Sequence, residues 1–250
     1  MRTLRLDQVV RRRQIDAELM TEPSTRTPTS PAPVRPRPRR RRLTDRGRLD
    51  RMTSPTLHGL QVVLTPVAAI HVPALRRILA TPAVRARWRD EDASPAWPFD
   101  DPSATRFAVL VDDTVRGLVQ YAEEEEPDYR HASIDVFIHP ALHGRGVGRD
   151  SVATLARYLV EVKGHHRLVI DPAADNEAAI RCYSAVGFRP VGILRRYERD
   201  ADGVGWHDGL LMDVLAEELP RDVEDLPGAP TLFEQQPLSR TPPGPAGTTT

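Results

Sequence analysis

The sequence predicts an α/β domain whose mixed sheet carries helices on its faces, and three observations carry that prediction. Residues 131–138 alternate in strand fashion and run into a turn holding Gly144, Gly146 and Gly148. An amphipathic helix follows, with Val152, Leu155, Ala156, Leu159 and Val160 on one side. Upstream, Arg106–Val111 and Val115–Ala122 read as strands joined by Asp112-Asp113, a natural hairpin turn, so three meander strands precede the glycine turn. Downstream, Leu168–Ile170 is short and apolar, as expected of a central strand reached by a crossover.

The remaining elements follow in order. Leu60–Leu64 has strand composition, and Thr65-Pro66 is read as the start of a helix running to Ile78 or Leu79, with Ile70, Ala74, Leu75 and Ile78 at helical spacing. A short helix after Pro82 includes Val84 and Trp88. Asp90–Ser103, broken by Pro95, Pro98 and Pro102, is a loop. With Trp88, Trp97 and Phe99 it is either a substrate lid or an irregular cap with aromatic anchors. Asp175–Val186 is expected to be helical and to stop at Gly187. Phe188–Leu194 and Gly209–Val214 then form a closing antiparallel pair.

Composition bounds the domain. The 24 prolines of this 250-residue chain cluster at its ends, which predicts a basic Pro/Arg-rich extension over 1–51, one domain over 57–220 and an unstructured tail over 221–250. Met52, just ahead of the first folded-looking segment, is an alternative start. Residues 1–51 hold 15 arginines against 6 acids, a net of +9, whereas residues 52–220 sum to −7 and the tail to −2. An acidic core favours a cationic substrate. Nucleic acid as a partner is left only to the basic arm, through Arg39–Arg42, which is otherwise an extension without a role. Cys182 is alone, so no intramolecular disulfide exists and a reducing, cytoplasmic setting is the simple expectation. No membrane partner is expected, because no run nears the ~20 apolar residues of a bilayer span. The sequence leaves oligomeric state open.

Three glycines ahead of a helix let the backbone close round an anion, with free N–H groups and the helix dipole aimed at one place. HGRGVG is a poor dinucleotide fingerprint, since it gives GxGxG halfway along the chain, and no GxxxxGK string exists. Cys/His spacing offers no metal site: His139 and His143 flank Pro140 on a turn, and His165-His166 are remote in sequence.

The segment VFIHPALHGRGVGRDSVATLARYL, followed after the next strand by PAADNEAAIRCYSAVGFRPVG, resembles the GCN5-related N-acetyltransferase (GNAT) family. The likeness covers about 160 residues, Leu57 to Glu218, and is strongest over 134–192. PAVRARW at 82–88, the acids before the central strand, Ile134-Asp135, Ile170-Asp171-Pro172 and AIRCYSAVGF at 179–188 resemble the aminoglycoside 6'-N-acetyltransferase branch. The resemblance implies a GNAT fold, with a mixed, mostly antiparallel sheet and splayed central strands, and acetyl-CoA as co-substrate. It implies transfer of the acetyl group to a primary amine of a small cationic substrate, aminoglycoside-like in that branch. Another small amine, a polyamine or a protein amine is the alternative acceptor. A non-catalytic acyl-CoA-binding protein keeps the same fold.

By the same resemblance the diphosphate sits on His143, Gly144, Arg145, Gly146, Val147 and Gly148, although His143 stands where the family has Arg or Gln. A backbone N–H among Val136, Phe137 and Ile138 polarises the thioester carbonyl, a place where negative charge grows during attack. Asn176 contacts the pantetheine side. Asp135 resembles the acid that receives the amine's proton, and Tyr183 the tyrosine that protonates the leaving thiolate. A phenol with a reference pKa of about 10 is protonated near neutrality and suits that task. Each also has a plainer reading, Asp135 as a polar strand residue and Tyr183 as packing. Trp88, Glu124, Glu126 and Asp171 are the expected substrate contacts. The run Glu123–Glu126 with Asp128 either attracts a polycation or is a solvated loop. Cys182 lacks a nearby His base and is read as structural.

Overall fold

The computed structural model describes residues 54–88, 95–200 and 203–220. The expectations for the arm, for Met52 and for the tail lie outside these residues. Eight strands form one sheet in the order β1-β2-β3-β4-β5-β6-β8-β7. They are β1 Leu57–His58, β2 Val63–Pro66, β3 Ala104–Val111, β4 Thr114–Glu124, β5 His131–Ile138, β6 Arg167–Ile170, β7 Arg189–Arg199 and β8 Trp206–Leu215. Every neighbouring pair is antiparallel except β5 and β6. The helices are α1 Val72–Leu79, α2 Pro82–Arg85, α3 Val147–Arg157, which continues as a π turn over Tyr158–Val162, and α4 Glu177–Ser184.

Sequence pattern explains most of these boundaries. Asp112 and Asp113 take φ of 47° and 55°, the left-handed pair that a two-residue hairpin between twisted strands requires. Asn176 caps α4, its side-chain oxygen accepting from the Ala179 N–H at 3.3 Å. Pro66 departs from the expectation: it ends β2 opposite Phe107 rather than opening a helix. The helix starts six residues later, and there Pro73 takes the first-turn place that tolerates a missing N–H. On an edge-side strand end Pro66 forfeits little.

Two apolar layers sandwich the sheet. Val147, Val152, Leu155, Ala156 and Leu159 of α3 and its continuation, with Tyr183, pack on Phe107, Val119, Ile134, Leu168, Ile170 and Met212. On the other face Leu75, Ile78, Leu79, Val84 and Trp97 cover Leu118 and Phe137. That second layer stops at β5, so among the described residues the same face of β6, β8 and β7 carries no helix.

The feature that positions the site is the parallel junction. β5 and β6 pair only at Ala132↔Leu168 and Ser133↔Val169, after which the strands diverge. From Ile134 to Ile138 the β6-facing edge of β5 has no strand partner, and a cleft opens through the middle of the sheet. These are the splayed central strands expected from the resemblance.

Candidate active site

At the mouth of the cleft the chain leaves Ile138 and makes one 3-10 turn, Pro140–Leu142, capped by His139 Nδ1, which accepts from the Ala141 N–H at 3.1 Å. His143 Nε2 donates to the Ile138 carbonyl at 2.9 Å. Its ring therefore staples the turn to the end of β5, a role distinct from that of a long cationic side chain in the same place. Gly144 and Gly146 follow with φ of 73° and 81°, a conformation that costs a side-chain-bearing residue about 1 kcal/mol or more. The first bond of α3 runs from the Asp150 N–H to the Gly146 carbonyl at 2.9 Å, so the Val147 and Gly148 amides precede the intrahelical ladder.

A CoA diphosphate fits this turn. A Cβ on Gly144 would meet nothing within 4 Å, and one on Gly148 would touch only Cys182 Sγ and Ile138 Cγ1 at 3.7 Å. Side-chain-free backbone thus faces open space at the positive end of a helix, which is what a diphosphate needs. Arg145 is exposed beside it, and its carbonyl accepts from Gln61 Nε2 at 3.4 Å.

Sequence reasoning missed the residue that seats this turn. Asp150, 3% exposed, accepts the N–H groups of Leu60, Gln61 and Val62 at 3.0, 2.7 and 3.1 Å. One carboxylate thereby binds the β1–β2 turn to the first turn of α3, where a negative charge is also favoured by the helix dipole. An acid four residues after the Gly146 cap was a visible signal, but its partners lie some ninety residues away.

Inside the cleft, Asp135 and Asp171 stand level. The register that pairs residue 133 with 169 places 135 opposite 171, on the sheet face without helices beyond β5. Gln120, opposite Asp135 on β4, donates from Nε2 to Asp135 Oδ2 at 3.1 Å and accepts from Arg106 Nε at 2.9 Å. The Tyr197 hydroxyl hydrogen-bonds Asp171. Burial, and then the neighbouring Asp135 and Glu198 carboxylates, push the Asp171 carboxyl up to about 7 against the opposing effect of the Tyr197 bond. Burial likewise lifts the Tyr183 phenol well above its usual value, with Cys182, Asp135 and Asp171 adding to it. Tyr183 is buried on α4 within electrostatic reach of both aspartates. Gln120 and Arg106 had no signature in the sequence.

The other expected contacts divide. Trp88 packs edge-on to Phe137 at 4.9 Å, on the Asp135 side of the sheet, and its Nε1 is a buried donor without a partner among the described residues. Next to it, Arg87 reaches Asp175 in the loop after Asp171, at 2.5 Å. Val136 packs toward α3 and Phe137 toward α1, both in the stretch of β5 beyond its last rung with β6. Asn176 uses its oxygen as the α4 cap, which leaves its amide nitrogen for a ligand. Glu124 and Glu126 do not join Asp135. Glu124 is four residues along β4 from Gln120, roughly 13 Å by strand rise, and it accepts the Glu126 N–H at 2.9 Å. Glu123 faces the opposite side of the sheet, where it meets His165 Nε2 at 2.8 Å and Lys163 at 3.4 Å. Among the described residues no helix is long and apolar enough to cross a membrane.

A splayed parallel junction with an anion turn at its mouth defines a GNAT-type acyl-CoA fold. Residues 72–188 match the model of the acetyltransferase (GNAT) family. N-alpha-acetyltransferase RimI of Mycobacterium tuberculosis is 34% identical over 73 residues, which cover 29% of this chain and 44% of the relative. The chain spans less than half the length of the curated relatives it matches. Among solved structures, Mycobacterium smegmatis RimJ in complex with CoA-disulfide superposes with a TM-score of 0.59 at 24% identity, covering 67% of this chain and 90% of that one. Spermidine N-acetyltransferase of Vibrio cholerae with CoA and spermine gives 0.54 at 19% identity, covering 63% and 97%. These two are likenesses of fold.

Proposed function

We propose that the chain transfers the acetyl group of acetyl-CoA to a primary amine on a cationic acceptor, and that the acceptor is first a peptide N-terminus. The observation that carries the reading is the pair of carboxylates, Asp135 and Asp171, level across the cleft in front of the glycine turn. The sequence likeness to an N-alpha-acetyltransferase favours the peptide amine over an aminoglycoside. A polyamine is the second reading, favoured by Glu198 as a third acid near Asp171. An aminoglycoside, as the branch resemblance suggested, is the third.

The acyl donor supplies an activated carbonyl and a good thiolate leaving group. The backbone amides of Val147, Gly148 and their neighbours hold its diphosphate, and His143 and Asp150 hold those amides in place. The unpaired edge of β5 over Val136–Ile138 presents N–H groups to the carbonyl oxygen. An alkyl ammonium, with a pKa of about 10.4, must lose a proton before it attacks, and the two aspartates first hold it as a cation. Tyr183, fully protonated near neutrality, donates a hydrogen bond to the departing sulfur.

Thiol release from acetyl-CoA, measured with free and N-terminally blocked peptides, polyamines and aminoglycosides, tests the proposal. Release with free peptides and none with blocked ones is the expected result. Release only with aminoglycosides would overturn the acceptor, and no release with any amine would overturn the catalysis and leave an acyl-CoA-binding protein.

A further inference from the structure

We infer that Asp171, oriented by the Tyr197 hydroxyl, is the proton acceptor for the incoming amine, and that Asp135, locked by Gln120 and Arg106, is the fixed anion that positions it. This division of labour rests on the acetyl-transfer reading above and reassigns the base that the resemblance placed at Asp135.

The two carboxylates share a level in the sheet but have opposite surroundings. Arg106 and Gln120 are 8% and 5% exposed, and Arg106 also donates through Nη1 to the carbonyls of Pro98 and Asp101 at 2.8 and 3.1 Å. A guanidinium only donates, so the Gln120 amide must turn its oxygen to Arg106 and its nitrogen to Asp135. Asp135 Oδ2 is therefore committed as an acceptor to a donor that cannot reorient. Such a group fixes direction and charge, as a positioning anion should.

Asp171 has the reverse arrangement. Its partner is a phenol, which donates to the carboxylate and, by rotating, accepts from the carboxylic acid, so one side chain serves both protonation states. No arginine or lysine forms an ion pair with Asp171 among the described residues. The groups that face it are Asp135 from β5, Tyr197 and Glu198 from β7 and Tyr183 from α4. Behind Glu198, His207 of β8 lies 3.5 Å from Oε2 and binds Asp200 through Nδ1. Crowding by acids and burial disfavour the ionised form, which brings the carboxyl near neutrality, where a base works best. The backbone is shaped for the purpose. The β7 register slips between Leu194 and Glu198, Arg196 takes φ of 48° with its N–H on Asp208 Oδ1 at 2.7 Å, and this bulge sets Tyr197 against Asp171.

The step balances as follows. The ammonium gives one proton to an Asp171 carboxylate oxygen, and the freed nitrogen lone pair forms the N–C bond to the thioester carbon. The C–S bond breaks, its electron pair leaves on sulfur, and the nitrogen loses its second proton. Of the two protons released from nitrogen one neutralises the thiolate, hydrogen-bonded by Tyr183 meanwhile, and the other leaves to solvent.

The test is the pH dependence of acetyl transfer in the full chain, with the best amine of the panel above. Asp171→Asn is expected to lower kcat at least about 100-fold, a larger change than any rise in the amine KM, and to abolish the acid limb near pH 7. Asp135→Asn and Gln120→Leu are expected to raise the amine KM while keeping an acid limb, which Asp135→Asn moves to lower pH because the Asp135 charge helps to raise the Asp171 carboxyl. Tyr197→Phe is expected to displace the limb. Carboxyl NMR of protein labelled at aspartate supplies a readout without turnover: one signal titrates near 7 in wild type, and it is absent from Asp171→Asn and present, at lower pH, in Asp135→Asn. If Asp171→Asn retains kcat and its limb, or if wild type has no aspartate signal titrating near 7, the assignment is overturned while acetyl transfer stands. If wild type transfers to no amine, acetyl transfer itself fails and the assignment falls with it.

Discussion

Replacing Asp150 with alanine removes the clasp between the β1–β2 turn and the cofactor turn, and the structure sets the size of the effect. Three N–H groups lose a charged acceptor at 3.0, 2.7 and 3.1 Å. The Val62 bond is buried, so its loss carries the full penalty of an orphaned donor, about 1.5–3 kcal/mol for a charge-assisted bond. Leu60 and Gln61 are exposed enough for water to replace the acceptor, at about 1 kcal/mol each. The sum is about 4 kcal/mol, a large fraction of the 5–15 kcal/mol typical of a domain, and it corresponds to a fall in Tm on the order of 10 °C for a chain of this size. Asp150→Asn is expected to recover only part of this, because its amide nitrogen points a donor at donors. Urea unfolding followed by circular dichroism gives the stability, and fluorescence titration with CoA gives the state of the cradle. Gly59→Ala is an independent probe of the same seat, since its Cβ would stand 2.6 Å from Thr154 Oγ1 and 2.7 and 2.8 Å from the Asp150 oxygens. The two changes together should cost less than their sum, because either one unseats the turn. A loss below about 1 kcal/mol for Asp150→Ala, with CoA affinity intact, would refute the clasp.

The other predictions are smaller in scope. Tyr183→Phe is expected to lower kcat by about 100-fold with CoA affinity unchanged, read by thiol release beside a CoA titration. Gly146→Ala forces a side chain to φ of 81° and sets its Cβ 3.0 Å from Gln61 Nε2, so CoA affinity should fall by about tenfold or more, as read by the same CoA titration. Burial works to raise the Glu123 carboxyl, but the His165 hydrogen bond and the Lys163 ammonium outweigh it and leave it below its ordinary 4.5. The stability it contributes is present above the ordinary value and lost as pH falls through the lowered one, so acid melts of wild type between about pH 5 and 3 should be steeper than those of Glu123→Gln. Burial pushes the Cys182 thiol up to about 11, so iodoacetamide at pH 7.5 should label it far more slowly in the native chain than in urea.

What the sequence disclosed follows the range of the forces involved. The Asp112-Asp113 hairpin, the glycine turn and the alternation of β5 are set by residues within a few positions of one another, and all are where the pattern put them. Pro66 misled because its permissive places include both a helix start and an outer strand end, and only the pairing with Phe107 chooses between them. The run Glu123–Glu126 divides for a related reason. Adjacent acids on a strand point to opposite faces, so Glu123 turns to His165 while Glu124 remains on the Asp135 face but far along it.

The two carboxylates proposed to act on the amine show the limit most sharply. Asp135 and Asp171 were both visible as acids beside strand ends, yet nothing in either neighbourhood distinguishes a positioning anion from a base. That distinction comes from Arg106 and Gln120 on β3 and β4 and from Tyr197 on β7, strands that flank the cleft on opposite sides. In a parallel junction with only two paired rungs, the two residues next in register face each other with no ladder between them, and each takes its chemistry from the strand behind it. It follows that exchanging the supports should exchange the roles in part: Gln120→Leu frees Asp135, Tyr197→Phe strips Asp171, and the double variant should show an acid limb belonging to neither arrangement alone. A double variant whose profile is the simple product of the two single ones would mean that the carboxylates act independently.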